Sequence, residues 1–171
     1  SAGSRVLVER SAYEAVVEKL AARFSALQSG PPALDLDMGP LVNEKQFQKV
    51  RAFVGQAEHD GIPVAARGRV AADASKTGYY HEAVLLRDVP PDHAIARDEV
   101  FGPVLVVMPF DTEGEAIRLA NDSTFGLAAS AWTRDVVRSM RASREIKAGC
   151  VWINDHIPIV SEMPHGGYKA S

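Results

Sequence analysis

Apolar positions at helical spacing alternate with short apolar runs along the whole chain. Tyr13, Val16, Val17, Leu20, Ala21, Phe24 and Leu27 fall on one helical stripe. Ser11-Ala12-Tyr13-Glu14 ahead of it has the form of a capping box. Gly30-Pro31-Pro32 is the expected stop. Residues 31–40 show no period and read as a loop. Asn43-Glu44-Lys45-Gln46 offers a second, weaker cap, before a stripe of Phe47, Val50, Phe53, Val54 and Ala57 that ends at Gly61.

Strand signals follow. Ile62 to Ala66 and Ala83 to Leu86 are short apolar runs, and the polar stretch from Arg67 to Gly78 between them reads as a surface excursion. Val104-Leu105-Val106-Val107-Met108 is β-branched and too short for an ordinary helix, so it reads as an inner strand. Pro109 and Thr112 then mark a turn into a helix from Glu113 to about Ala120. Leu127 to Thr133 is a strand, Asp135 caps a helix ended by Gly149, and Cys150 to Asn154 is a compact apolar strand. Arg5 to Glu9 is a short opening strand. Strands alternating with helices imply an α/β fold, a largely parallel sheet flanked by helices. No internal linker is visible, so residues 1–171 read as one domain.

Composition narrows the field without naming a chemistry. A length of 171 residues is enough for a real core. A net charge of −3 gives no reason to expect nucleic acid or an acidic membrane surface as partner. Arg134, Arg138, Arg141, Arg144 and Lys147 follow one helix as a solvated basic face. No apolar run approaches the roughly 18 residues of a membrane span. One cysteine excludes an internal disulfide and fits a reducing, cytoplasmic compartment. His59, His81 and His93 lie far apart, with no zinc-site spacing. Asp155-His156 near several serines suggests a hydrolase only weakly, since no Gly-x-Ser-x-Gly elbow occurs. No Gly-x-Gly-x-x-Gly occurs either, so the chain offers no self-contained dinucleotide site.

The densest chemistry is Asp98-Glu99-Val100-Phe101-Gly102-Pro103-Val104, with an acid and an aromatic at the mouth of the inner strand. Read by itself, Glu99 is either a ligand-facing acid or a solvated loop acid, and Phe101 either a ligand-facing ring or a core plug. Glu-Val-Phe-Gly-Pro-Val resembles a signature of the aldehyde dehydrogenase superfamily. Residues 1–8, Ser-Ala-Gly-Ser-Arg-Val-Leu-Val, are similar to the segment directly after that family's nucleophilic cysteine. Met163-Pro164-His165-Gly166-Gly167-Tyr168-Lys169-Ala170-Ser171 resembles its Pro-Phe-Gly-Gly-Phe-Lys-x-Ser segment. Residues 38–42, 121–127 and 148–154 fit in order, so the likeness covers the chain. The histidine at 165, after Val160-Ser161-Glu162-Met163, resembles most the aminobutyraldehyde and betaine aldehyde branch.

That resemblance implies oxidation of an aldehyde to a carboxylate with NAD or NADP through a cysteine thioester. It places the nucleophile immediately before Ser1 and the general base, oxyanion asparagine and dinucleotide-binding unit further upstream. The chain is therefore expected to be the C-terminal part of a catalytic domain, inactive alone. A non-catalytic binding or assembly module of the same fold is the alternative. Glu99 would hold the nicotinamide ribose, since a carboxylate accepts from both hydroxyls, and Phe101 would pack beside the nicotinamide. Ile157, Ile159, Met163 and His165 would shape the aldehyde pocket. Asp155 and Glu162 would attract a substrate ammonium or else be merely solvated. Cys150, in its apolar strand, reads as structural. The family's complete enzymes are usually homo-oligomers, and this chain is expected to expose apolar surface and self-associate.

Overall fold

The computed structural model describes residues 3–74 and 78–171. Ser1 and Ala2, at the start of the segment compared with the one after a cysteine, lie outside the described residues, as do residues 75–77 of the expected surface excursion. The chain divides into two compact units, Ser4–Pro109 and a second made of Phe110–Ser171 with the first residues. No helix among the described residues is long and apolar enough to cross a membrane.

The first unit holds strand β1 (Arg5–Glu9), helix α1 (Tyr13–Ala26), β2 (Gln28–Ser29), α2 (Glu44–His59), β3 (Val64–Arg67), β4 (Arg69–Val70), β5 (Val84–Arg87), α3 (Ala94–Arg97) and β6 (Val104–Phe110). Its main sheet has the order β1-β6-β5-β3. β5 and β6 run parallel, with Val84 opposite Val104 and Arg87 opposite Val107. β3 joins β5 antiparallel, with an irregularity between Val64 and Ala66. Alternation along the inner strands sends successive side chains to opposite faces. Val84, Leu86, Val104, Val106 and Met108 meet Val50, Val54 and Ala57 of α2 in one buried cluster. Leu85 and Val107 meet Tyr13 and Val17 of α1 in the other. The sheet thus lies between two helices, and both inner strands are apolar apart from Arg87 at the end of β5.

Local signals were partly overridden. The capping box at Ser11 does not form: Arg10–Ala12 is a 3-10 turn, and α1 starts at Tyr13 with no side-chain cap. Glu14 instead binds the Arg87 guanidinium through both oxygens, at 2.6 and 3.1 Å. α1 ends at Ala26, before Gly30, because residues 28–29 pair with β4. Within the expected loop 31–40, Pro32–Leu34 makes a 3-10 turn. The Asn43 cap does form, its Oδ1 accepting from the Gln46 N–H at 2.9 Å. Gly61 at φ +80 follows the end of α2 in the left-handed geometry that suits glycine. Pro109 lies inside β6 rather than in a turn. It is tolerated there because the ladder with β5 ends at Val107 and asks nothing of its missing N–H.

The second unit contains α4 (Glu113–Asn121), β7 (Phe125–Gly126), β8 (Ala128–Ala131), α5 (Val136–Glu145), β9 (Cys150–Ile153) and β10 (Tyr168–Lys169). Thr112 caps α4 and Asp135 caps α5, each accepting from the N–H three residues on. α5 closes at Glu145, four residues before Gly149. β8 and β9 pair in parallel, Ala128 opposite Cys150, with α5 as crossover. β10 pairs antiparallel with β7. On the basic face of α5, Arg138 and Arg141 lie 3.7 and 3.6 Å from the Glu113 carboxylate.

Candidate functional site

Val100 anchors the Glu99–Phe101 segment. It is 5% exposed in the α2-side core, while its two neighbours face outward. Phe101 is 71% exposed with φ +56, so it is no core plug. A bulky side chain in that left-handed region is strained, and such strain collects at functional sites. Among the described residues the Glu99 carboxylate has no hydrogen-bond or ion-pair partner.

The main chain of this segment, by contrast, is held by α2. Lys49 Nζ donates to the Glu99 carbonyl at 2.6 Å. Gln46 Nε2 donates to the Val100 and Phe101 carbonyls at 2.8 and 2.9 Å. Gly102 lies so close to α2 that a Cβ there would clash with Val50 Cγ2. Three consecutive carbonyls are thus tied to one helix while the acid and ring between them stay open. Such a pair fits a ribose diol and a flat ring, since a carboxylate offers acceptors to both hydroxyls. Beyond the Asn43 cap that includes Gln46, the sequence does not mark Gln46 and Lys49 as holding this loop. Their i, i+3 spacing puts them on one helical face, but nothing local says which loop lies against it.

In the second unit the expected pocket residues share the loop after β9. Asn154 extends the strand pairing with its side chain, accepting from the Thr133 N–H at 2.8 Å and donating to the Thr133 carbonyl at 2.9 Å. Buried Trp152 folds the loop back, its Nε1–H donating to the Pro158 carbonyl at 3.0 Å. His165 stacks on Trp152 with ring centroids 6.5 Å apart, and His156 meets the same indole edge-on at 5.6 Å. His156 Nδ1 lies 2.5 Å from Ser130 Oγ. Asp155 accepts from the backbone N–H of His156 rather than from its ring, so Asp155, His156 and Ser130 do not form a triad.

Ile157, Ile159 and Met163 are all exposed, and Ile157 has φ +71. The turn carrying His165 is fixed by close approach: a Cβ on Gly149 would meet the Gly166 carbonyl oxygen. Trp132, 65% exposed and 6.4 Å from the His156 ring, is an aromatic surface that the sequence reading did not single out. Asp155 and Glu162 are exposed. Cys150 is half-buried in the β8–β9 pair.

No group of three or more metal-ligating side chains comes together among the described residues. His93 faces Asp60 at 3.1 Å, and buried His81 lies against the Glu82 carbonyl at 2.7 Å.

A family model described as "Aldehyde dehydrogenase family" matches residues 1–171. The chain belongs to the aldehyde dehydrogenase family. It is 40% identical to the betaine aldehyde dehydrogenase of Brucella anthropi, matching all of this chain and 36% of that protein. It is 36% identical to the human 4-trimethylaminobutyraldehyde dehydrogenase, over 99% of this chain and 35% of the human protein. Among solved structures, a Burkholderia cenocepacia protein classed as an aldehyde dehydrogenase superposes with a TM-score of 0.96 at 53% identity, covering 99% of this chain and 36% of that one. The aldehyde dehydrogenase of Bacillus cereus, solved as its NAD+ complex, superposes with a TM-score of 0.91 at 40% identity, covering 99% and 34%. The chain spans about a third of the length of the curated relatives it matches. These relatives agree with the mixed α/β fold and its mostly parallel strand pairing.

Proposed function

We propose that the chain is the C-terminal part of the catalytic domain of an NAD- or NADP-dependent aldehyde dehydrogenase acting on an aldehyde that carries an ammonium group. The observation that carries this reading is the Glu99 carboxylate, without a partner among the described residues, and the exposed Phe101 ring, set either side of buried Val100 on a backbone tied down by α2. Glu99 would accept from the ribose hydroxyls and Phe101 would lie beside the nicotinamide. The cofactor would supply the hydride acceptor. Ile157, Ile159, Met163 and His165 would bound the aldehyde. Asp155, Glu162 and the Trp132 face would favour a cationic tail, by charge and by cation–π attraction. The names of the Brucella and human relatives, both trimethylammonium aldehyde dehydrogenases, support that choice of substrate.

The nucleophilic cysteine would sit immediately before Ser1, with base, oxyanion donor and dinucleotide-binding domain further upstream, and Cys150 would not replace it. The isolated 171-residue chain would then be inactive. The complete enzyme would be cytoplasmic and homo-oligomeric, with exposed Val136, Val137 and Met140 of α5 as apolar surface available for association.

The test compares the complete polypeptide with residues 1–171 in NADH formation from betaine aldehyde, 4-aminobutyraldehyde and an uncharged aldehyde of similar length. Turnover by the complete polypeptide with preference for the ammonium aldehydes, and none by the isolated chain, is expected. Equal turnover of the uncharged aldehyde would sink the substrate assignment. Complete absence of turnover by the whole polypeptide would favour a non-catalytic module.

A further inference from the structure

α2 holds the Glu99 segment at a second place, through a histidine. Asp60 is the C-cap of α2, and Gln56 Nε2 donates to both its oxygens at 2.9 Å. His93 Nε2 meets Asp60 Oδ2 at 3.1 Å. The other ring nitrogen, Nδ1, accepts from the Ile95 N–H at 3.1 Å and so caps α3. An acceptor carries no proton, so the ring hydrogen sits on Nε2 and donates to Asp60. The aspartate thereby selects the tautomer that can cap.

α3 is a single turn that leads directly into Asp98 and Glu99. Its Ile95 and Ala96 are each 3% exposed, in the same buried cluster as Val100 and the α2 side chains. One helix therefore braces the stretch from His93 to Phe101 at both ends. Gln46 and Lys49 near its start take the carbonyls of residues 99–101, and Asp60 at its end orients the cap of the turn just before them.

We propose that His93, oriented by Asp60, is a positioning residue of the cofactor site, acting through α3 on the placement of Glu99. This rests on the reading of Glu99 as the ribose-binding acid. A short turn without its cap samples non-helical states, and those states swing the residue that follows it.

The test uses the complete enzyme with NAD+ and betaine aldehyde, and reads the two KM values separately. Glu99→Gln is the control and is expected to raise KM for NAD+. His93→Ala is expected to raise KM for NAD+ about fivefold, the fold-change that corresponds to one lost helix cap, with KM for the aldehyde within about twofold. His93→Asn restores a cap that needs no aspartate, and KM for NAD+ is expected to return toward the unmutated value. Asp60→Ala is expected to raise KM for NAD+ in the unmutated background and to add nothing beside H93N, the signature of two residues acting in series. Asp60→Ala, at an exposed site, carries the same test if H93A fails to fold.

A KM for NAD+ unmoved by H93A and D60A, while E99Q raises it, would overturn the inference and leave the reading of Glu99 standing. A rise in both KM values together with a lower melting temperature, not reversed by H93N, would make His93 structural only and also overturn it. An unmoved KM in E99Q would remove the reading of Glu99 itself.

Discussion

The ammonium of Lys49 binds the main-chain carbonyl of Glu99 at 2.6 Å, and among the described residues the Glu99 carboxylate has no partner. A lysine beside a glutamate would ordinarily pair with the acid. Here the cation spends its hydrogen bond on the backbone, so the acid is held in place yet stays open to a ligand. Removing the cation without removing length should therefore cost placement of Glu99 rather than its charge. Lys49→Met is expected to raise KM for NAD+ in the complete enzyme by roughly two- to tenfold, the worth of one exposed charge-assisted hydrogen bond. The aldehyde KM is the internal reference. An equal rise in both would show that Lys49 supports the fold at large.

The left-handed backbone at Ile157 gives a prediction that separates strain from function. A β-branched residue at φ +71 is disfavoured by about 1–2 kcal/mol, and glycine there would relieve that. Glycine's extra freedom in the unfolded chain costs about 0.5–1 kcal/mol, so Ile157→Gly should be no less stable than the unmutated protein. Ile159→Gly has no such relief to gain and should lose about 1 kcal/mol. If Ile157 lines the aldehyde pocket, I157G should nonetheless raise the aldehyde KM and leave that for NAD+ alone. Urea denaturation together with the two KM values checks this. A clear loss of stability in I157G would mean that the loop takes another backbone in solution.

Much of this was legible in the sequence where a signal was local and uncontested. The Asn43 cap and the Phe47–Ala57 stripe set α2, and the β-branched run set β6, because each depends only on neighbours a turn or a residue away. The Ser11 box failed because Glu14 finds Arg87, 73 residues away, a better partner than an exposed N–H. The antiparallel turn of β3 onto β5 was invisible for the same reason, since register is settled between strands. In the site, residue type marked the acid and the ring as candidates but left open whether Phe101 faced out or plugged the core, and its exposure settles that only for the side chain's direction. The brace of Gln46, Lys49 and His93 could not be read, because an amide, an amine and an imidazole on a helix or in a turn look alike whether they face water or a carbonyl.

Tyr13 begins α1 where a cap should be, and its phenol does the tying. The hydroxyl accepts from the Asp88 N–H at 2.8 Å and donates to the Val107 carbonyl at 3.3 Å. Tyr13→Phe strands the Asp88 N–H and should lose about 1–3 kcal/mol. Burial pushes the phenol above the ordinary tyrosine range of 10.0, against the pull of the Asp88 N–H. A raised value means that the neutral form is favoured on folding. The contribution is whole below about pH 10 and is lost as pH climbs through the folded-state value. Denaturation midpoints measured from pH 8 to 11 should therefore fall more steeply for the unmutated protein than for Y13F. Parallel profiles would mean that the phenol is not buried as described.

The edge between β3 and β5 predicts the acid limb. Arg67 reaches Glu82 at 2.6 Å and Glu58 at 2.7 Å, joining both strands to the last turn of α2. Burial pushes the Glu82 carboxyl up, but its own backbone N–H, neighbouring His81 and the Arg67 guanidinium together outweigh this and hold it below the ordinary 4.5. A lowered value means that folding favours the ionised acid. The stabilisation is thus complete above about pH 4.5 and is lost as pH falls through the folded-state value. Glu82→Gln removes the titration and keeps most of the volume. At pH 7 it should be less stable than the unmutated protein, by a discounted amount of about 1 kcal/mol because the pair is only half-buried. As pH falls through the folded-state value the two should converge, since the unmutated glutamate then becomes protonated too. Urea midpoints across pH 3 to 7 measure the gap between them. A gap that stays constant through that range would show that Glu82 contributes by packing and not by charge.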